Sequence, residues 1–171
     1  MGLFQNFRKA VKETQNTGKT FSAAACLSGH IVPMEKLPDP AFAEGILGPC
    51  AGIEPPEDAG ECRILAPADG TVTQCSETGH AVGHVCGETE ILVHAGIDTV
   101  QMAGRGFSLS VKPGETVKTG QPLLVMDAAM VRAAGYSPVV VTIVTDTPGK
   151  VSFSDKTEIR GGETLLTVFL P

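Results

Sequence analysis

Glu77-Thr78-Gly79-His80-Ala81-Val82-Gly83-His84-Val85-Cys86-Gly87-Glu88-Thr89-Glu90-Ile91-Leu92-Val93-His94-Ala95-Gly96-Ile97-Asp98-Thr99-Val100 is the stretch that decides the fold. It predicts a strand around Gly79–Cys86, a polar turn at Gly87-Glu88-Thr89 and a second strand over Glu90–His94. Alternation along the first strand puts His80 and His84 on one face. The second strand is apolar and ends in His94, next to Ala95-Gly96. A histidine at the end of a rigid strand is held in place and reachable. Paired as a hairpin, the strands bring His80 and His94 within reach of each other.

Two imidazoles brought together allow several chemistries. With a third ligand they bind a metal. Because imidazole titrates near neutrality, they can exchange protons. One can attack phosphorus while the other donates a hydrogen bond to the phosphoryl oxygens. Two satisfied structural histidines are the plain alternative.

The rest of the chain fits an all-β setting. Its 171 residues suffice for one domain with a core, and they include 20 Gly, 12 Pro, one Tyr and no Trp. Short runs rich in Val, Ile and Leu alternate with turn residues. That predicts a mostly β fold, an antiparallel sandwich or barrel with short helices. Ala23–Val32 reads as strand, Ser-Gly turn and strand, with His30 at the turn. Pro38-Asp39-Pro40 is a turn leading into a helical turn over Ala41–Gly45, and Gly52–Gly60 reads as a loop. Strands follow at Arg63–Ala66 and Thr71–Cys75, joined by Ala68-Asp69-Gly70 with Gly70 at an expected positive φ. Asp127 caps a short helix that Gly135 ends, and Pro138–Thr145 is a β-branched strand.

The net charge of -6 argues against a nucleic-acid partner, because phosphate contacts need a basic face. Cys26, Cys50, Cys62, Cys75 and Cys86 include no C-x-x-C pair, which disfavours a zinc–thiolate site. No signal peptide and no apolar run of about twenty residues is read, so reduced thiols in a cytoplasmic protein are expected. Residues 1–20 form a separate N-terminal segment and linker ahead of a domain over residues 21–171. Within it, Leu3, Phe4, Phe7 and Val11 stand at helical spacing beside Arg8, Lys9 and Lys12. Residues 1–12 could therefore make peripheral contact with an anionic membrane.

Taken together, several motifs resemble one family. Thr78-Gly79-His80-Ala81-Val82 and Leu92-Val93-His94-Ala95-Gly96-Ile97-Asp98-Thr99-Val100 are similar to the glucose-class enzyme IIA domain of the bacterial sugar phosphotransferase system. Ala66-Pro67-Ala68-Asp69-Gly70-Thr71-Val72 fits its A-P-x-D-G-x-V stretch. Leu37-Pro38-Asp39-Pro40-Ala41-Phe42-Ala43-Glu44, with Ile46-Leu47-Gly48, fits another. Pro113-Gly114-Glu115-Thr116-Val117 through Gln121-Pro122-Leu123 resembles the hammerhead of barrel-sandwich hybrid folds, and residues 153–163 repeat the idea weakly.

The resemblance implies a monomeric phosphocarrier needing neither cofactor nor metal. His94 would accept the phosphoryl group from HPr and pass it to a cysteine of the enzyme IIB/IIC sugar permease. His80 would stabilise the phosphoryl group, Thr78 would orient His80, and Asp98 would support the site. Phe42, Ile46, Leu47, Leu92 and Val100 would form an apolar rim that receives partners. Ser76 and Gly83 stand where bulkier residues are common in such rims. A LytM-type zinc peptidase shares the hybrid architecture but needs a late H-x-H ligand pair, and no histidine follows His94. A biotinyl or lipoyl carrier would need a lysine where Val131-Arg132 stands.

Overall fold

The computed structural model describes residues 18–171. The amphipathic reading of residues 1–12 lies outside the described residues. Among the described residues, fourteen strands make three antiparallel sheets. They are β1 (Thr20–Ala24), β2 (Gly29–Pro33), β3 (Cys50–Glu54), β4 (Glu61–Leu65), β5 (Gly70–Cys75), β6 (Ala81–Cys86) and β7 (Thr89–Ile97), followed by β8 (Phe107–Leu109), β9 (Thr116–Val117), β10 (Pro122–Asp127), β11 (Ser137–Asp146), β12 (Lys150–Phe153), β13 (Glu158–Ile159) and β14 (Thr164–Phe169). The large sheet runs β13-β2-β3-β11-β7-β6-β5-β9. Two small sheets, β1-β14-β12 and β4-β10-β8, complete the structure. The strands on either side of the Ser28-Gly29 turn do not pair with each other: β1 pairs with β14 and β2 with β3. Gly52 also belongs to β3, so the expected loop at Gly52–Gly60 begins only after Glu54.

The central strands of the large sheet are covered on both faces. Ile91, Val93 and Ala95 of β7 join Val72, Val82, Ile64 and Leu123 in the main core. On the other face Leu37, Phe42, Cys50, Ile97, Val139, Val141 and Ile143 form a second cluster, with Leu92 packed against it. The segment between β2 and β3 closes that second face. Its Pro40–Ala43 helix is started by Asp39, whose carboxylate accepts from the Ala41 amide at 2.8 Å, and Pro40 sits in the first turn, where no amide is needed.

The hairpin forms in register, Ala81 opposite His94 and His84 opposite Ile91, but two expectations change. First, β7 does not stop at His94; it pairs with β11 as far as Ile97. Second, His80 lies in the bend before β6 rather than on it, so it shares no face with His84. Gly70 also departs from expectation. Its φ is not in the left-handed region; instead a Cβ there would stand 2.3 Å from the Val85 carbonyl oxygen across the ladder. Close approach, not turn geometry, requires the glycine.

His84 is 0% exposed and points into the core, where neither ring nitrogen has a hydrogen-bond partner. Burial pushes its pKa down to about 4, against a weaker upward effect from the Ile91 backbone. The unfolded chain therefore binds this proton at a higher pH than the folded one. The stability linked to neutral His84 is complete above about pH 6.5 and is lost as pH falls towards about 4. The full loss is about 3 kcal/mol. Denaturant unfolding at pH 7.5 and pH 4.5 should show it, and His84→Leu should reduce the difference, leaving the part that His80 contributes. An unchanged pH slope in that variant would remove His84 from the account.

Candidate functional site

The β6–β7 ladder positions the pair of imidazoles. His94 follows Glu90 and Leu92 on the face of β7 that looks away from the main core. There its ring lies 5.2 Å from the Phe42 ring, at an interplanar angle of 59°. The His80 carbonyl accepts the Ala95 amide at 2.7 Å, which ties the bend before β6 to β7 beside His94. The two imidazoles stand edge to face, centroids 4.9 Å apart and planes at 81°. The Phe107 ring also stands beside His80, with centroids 6.2 Å apart.

Each ring uses Nδ1 to anchor itself. His94 Nδ1 lies 2.8 Å from the Gly96 carbonyl oxygen. A carbonyl only accepts, so Nδ1 carries the proton and Nε2 keeps a lone pair. His80 Nδ1 lies 2.6 Å from Thr78 Oγ1 and 3.3 Å from Ser76 Oγ. A hydroxyl that donates to Nδ1 leaves the His80 proton on Nε2. Neighbouring rings then offer complementary atoms, a nucleophilic nitrogen and an N–H donor.

Burial and the adjacent His94 push the His80 pKa down to about 4. Burial also lowers the pKa of His94, while the Gly96 carbonyl and the carboxylates of Asp39 and Asp98 pull the other way. Both rings are neutral at pH 7. Asp98 itself is exposed, in a left-handed conformation (φ 58°), and starts the 3-10 turn Thr99–Met102. Thr99 Oγ1 closes that turn by donating to the Ala95 carbonyl at 2.7 Å.

The other expected rim residues divide into two groups. Phe42 is 5% exposed and Leu92 is part-buried, so both act as a floor under His94. Ile46, Leu47 and Val100 are 69%, 43% and 51% exposed; Ile46 and Leu47 follow the helix that carries Phe42, and Val100 lies in the turn Thr99–Met102. Sequence reasoning passed over Asp39, Phe107 and the hydroxyl of Ser76. Asp39 carried a signal, because Asp before Pro-Ala is a helix cap beside the rim. Phe107 carried none, since it reaches His80 from a strand of another sheet.

Gly96 links the fold to the site. It adopts φ +82°, and a Cβ there would stand 2.3 Å from Thr99 Cγ2. Gly96→Ala should cost about 1–3 kcal/mol and displace the carbonyl that orients His94. Thermal unfolding and phosphoryl-transfer rates should fall together; a variant unchanged in both would show that the Gly96 geometry is dispensable.

Among the described residues, no group of three His, Cys, Asp or Glu side chains is placed to hold a metal ion. No described helix is long and apolar enough to cross a membrane.

The family model described as phosphoenolpyruvate-dependent sugar phosphotransferase system, EIIA 1, matches residues 21–149. The PTS system glucose-specific EIIA component of Oceanobacillus iheyensis is 33% identical over 160 residues, 92% of this chain and 94% of that protein. The PTS system glucose-specific EIIBCA component of Corynebacterium glutamicum is 37% identical over 142 residues, 82% of this chain, and the chain spans only 20% of that protein's length. The solved structure of glucose permease IIA from Mycoplasma capricolum superposes with a TM-score of 0.80 at 27% identity, covering 87% of this chain and 96% of that one. The chain belongs to the EIIA 1 family of the phosphoenolpyruvate-dependent sugar phosphotransferase system.

Proposed function

We propose that this protein is a phosphocarrier in sugar uptake, working as a monomer in the cytoplasm. It takes a phosphoryl group from phosphorylated HPr on His94 and passes it to a cysteine of an enzyme IIB/IIC permease. The observation that carries this reading is the pair of neutral imidazoles with opposite anchoring. His94 Nε2, left with its lone pair by the Nδ1–Gly96 contact, attacks phosphorus in line. The P–N bond of the donor breaks, and the donor ring leaves with the electron pair. The phosphorylated His94 ring gains positive character, and its Nδ1–H delivers part of that to the Gly96 carbonyl. His80 Nε2–H donates to the phosphoryl oxygens. In the second step a thiolate attacks phosphorus and His94 leaves as neutral imidazole. Both steps need only positioning and charge stabilisation.

The exposed Ile46, Leu47 and Val100 supply an apolar rim that excludes water while each partner docks. Asp98 supports the site through its charge near His94. Residues 1–12 supply the basic, apolar-spaced segment for peripheral membrane contact. The test is incubation with enzyme I, HPr and labelled phosphoenolpyruvate. Acid-labile, base-stable label that moves on to an enzyme IIB is the expected result. No label with HPr from several sources would overturn the reading.

A further inference from the structure

Ser76 is tied to the site more closely than a small rim residue needs to be. Its amide donates to the Ala81 carbonyl at 2.9 Å, and its Oγ accepts the Ala81 amide at 3.0 Å. This reciprocal pair brackets the bend that carries His80. The same Oγ lies 3.3 Å from His80 Nδ1, where Thr78 Oγ1 already stands at 2.6 Å. Two hydroxyls therefore converge on one nitrogen. A hydroxyl oxygen that accepts a backbone N–H is polarised towards giving its own proton away. Ser76 has one proton to give, its oxygen is already engaged by Ala81, and His80 Nδ1 is the acceptor beside it.

We propose that Ser76 is a second positioning residue for His80. Its hydroxyl shares with Thr78 the task of donating to Nδ1, and so keeps the His80 proton on Nε2. The function of that proton rests on the phosphocarrier reading; the tautomer does not. Nδ1 has a single in-plane lone pair, so the two donors share or exchange it. The shorter Thr78 contact dominates in the intact protein, and Ser76 holds the tautomer when Thr78 turns away. The two hydroxyls are thus partly redundant, and their removal should be non-additive.

The test uses the full chain labelled with 15N-histidine, as wild type, Ser76→Ala, Thr78→Ala, the double variant and Ser76→Thr. Ring 15N shifts at pH 7.5 report which nitrogen of His80 carries the proton. Transfer from phosphorylated HPr and onward to enzyme IIB is timed on the same samples. Wild type should hold His80 almost wholly as the Nε2–H form. Each single alanine variant should keep that form and lose about threefold in onward transfer. The double variant should show a mixed tautomer and lose about a hundredfold, more than the product of the singles. Ser76→Thr, which keeps the hydroxyl, should behave as wild type.

If the double variant does not fold, Ser76→Ala alone decides, through the 15N shift of His80 Nδ1. Loss of a hydrogen-bond donor there moves the shift downfield; no movement removes Ser76 from the contact. An unchanged tautomer in the folded double variant overturns the proposal. Wild type that shows the Nε2–H tautomer but transfers no phosphoryl group would sink the phosphocarrier reading and leave the positioning role of Ser76 intact.

Discussion

His94→Ala should accept no phosphoryl group from HPr, with a loss of roughly 10⁴-fold or more. The size follows from the step itself. On the proposed reading the group transferred is bonded to the side chain that has been removed, so no weaker geometry substitutes for it. On the proposed tautomer His80 is no stand-in nucleophile, since two hydroxyls stand at its Nδ1 and the proton is held on Nε2. The fold should survive. His94 lies at the margin of the second cluster, on the face of the sheet away from the main core, and its ring meets Phe42 at 5.2 Å. Losing that contact costs about 1 kcal/mol. His94→Gln, which fills more of the space, should be equally inert. Residual label on either variant at more than a hundredth of the wild-type rate would move the acceptor role elsewhere. Mass spectrometry of the labelled protein would then show where.

Much of this site was legible in the sequence because it is built locally. His80 and His94 flank one hairpin, and a polar Gly-Glu turn fixes the register that places Ala81 opposite His94. Thr78 reaches His80 across two residues, and Gly96 reaches His94 across two. Local reach of this kind survives errors in strand boundaries. Alternation was less reliable. It assumed that the first strand began at Gly79, but Gly79 has φ +76° and the chain bends there, which turns His80 out of phase with His84. His84 stays in phase with Val82 and Cys86 and enters a core that gives its nitrogens no partner. Pairing between distant strands was not legible at all. Nothing local in Ala23–Val32 says that its halves join different sheets, because both halves are apolar and neither partner strand adjoins the segment. The same holds for Phe107, whose contact with His80 depends on β8 lying beside β10.

His80→Ala should separate the two transfers. In acceptance, a neutral imidazole attacks phosphorus, and the negative charge at the phosphoryl oxygens need not grow. In donation, a thiolate approaches a phosphoryl group that is already anionic. The reaction then depends on a donor that draws charge away from the incoming nucleophile. Loss of one preorganised donor to a developing oxyanion costs about 10²–10³-fold. That loss should fall on onward transfer to enzyme IIB, with acceptance from HPr slowed far less, so label accumulates on the variant. The donor must also be neutral, and the depressed pKa of about 4 keeps it so across the physiological range. His80→Gln, which offers an N–H of similar reach, should recover part of the onward rate, whereas His80→Phe, which restores only bulk, should not. Equal slowing of both transfers, or full recovery by His80→Phe, would mean that His80 only packs against His94. The hydrogen bond would then have no part in the chemistry.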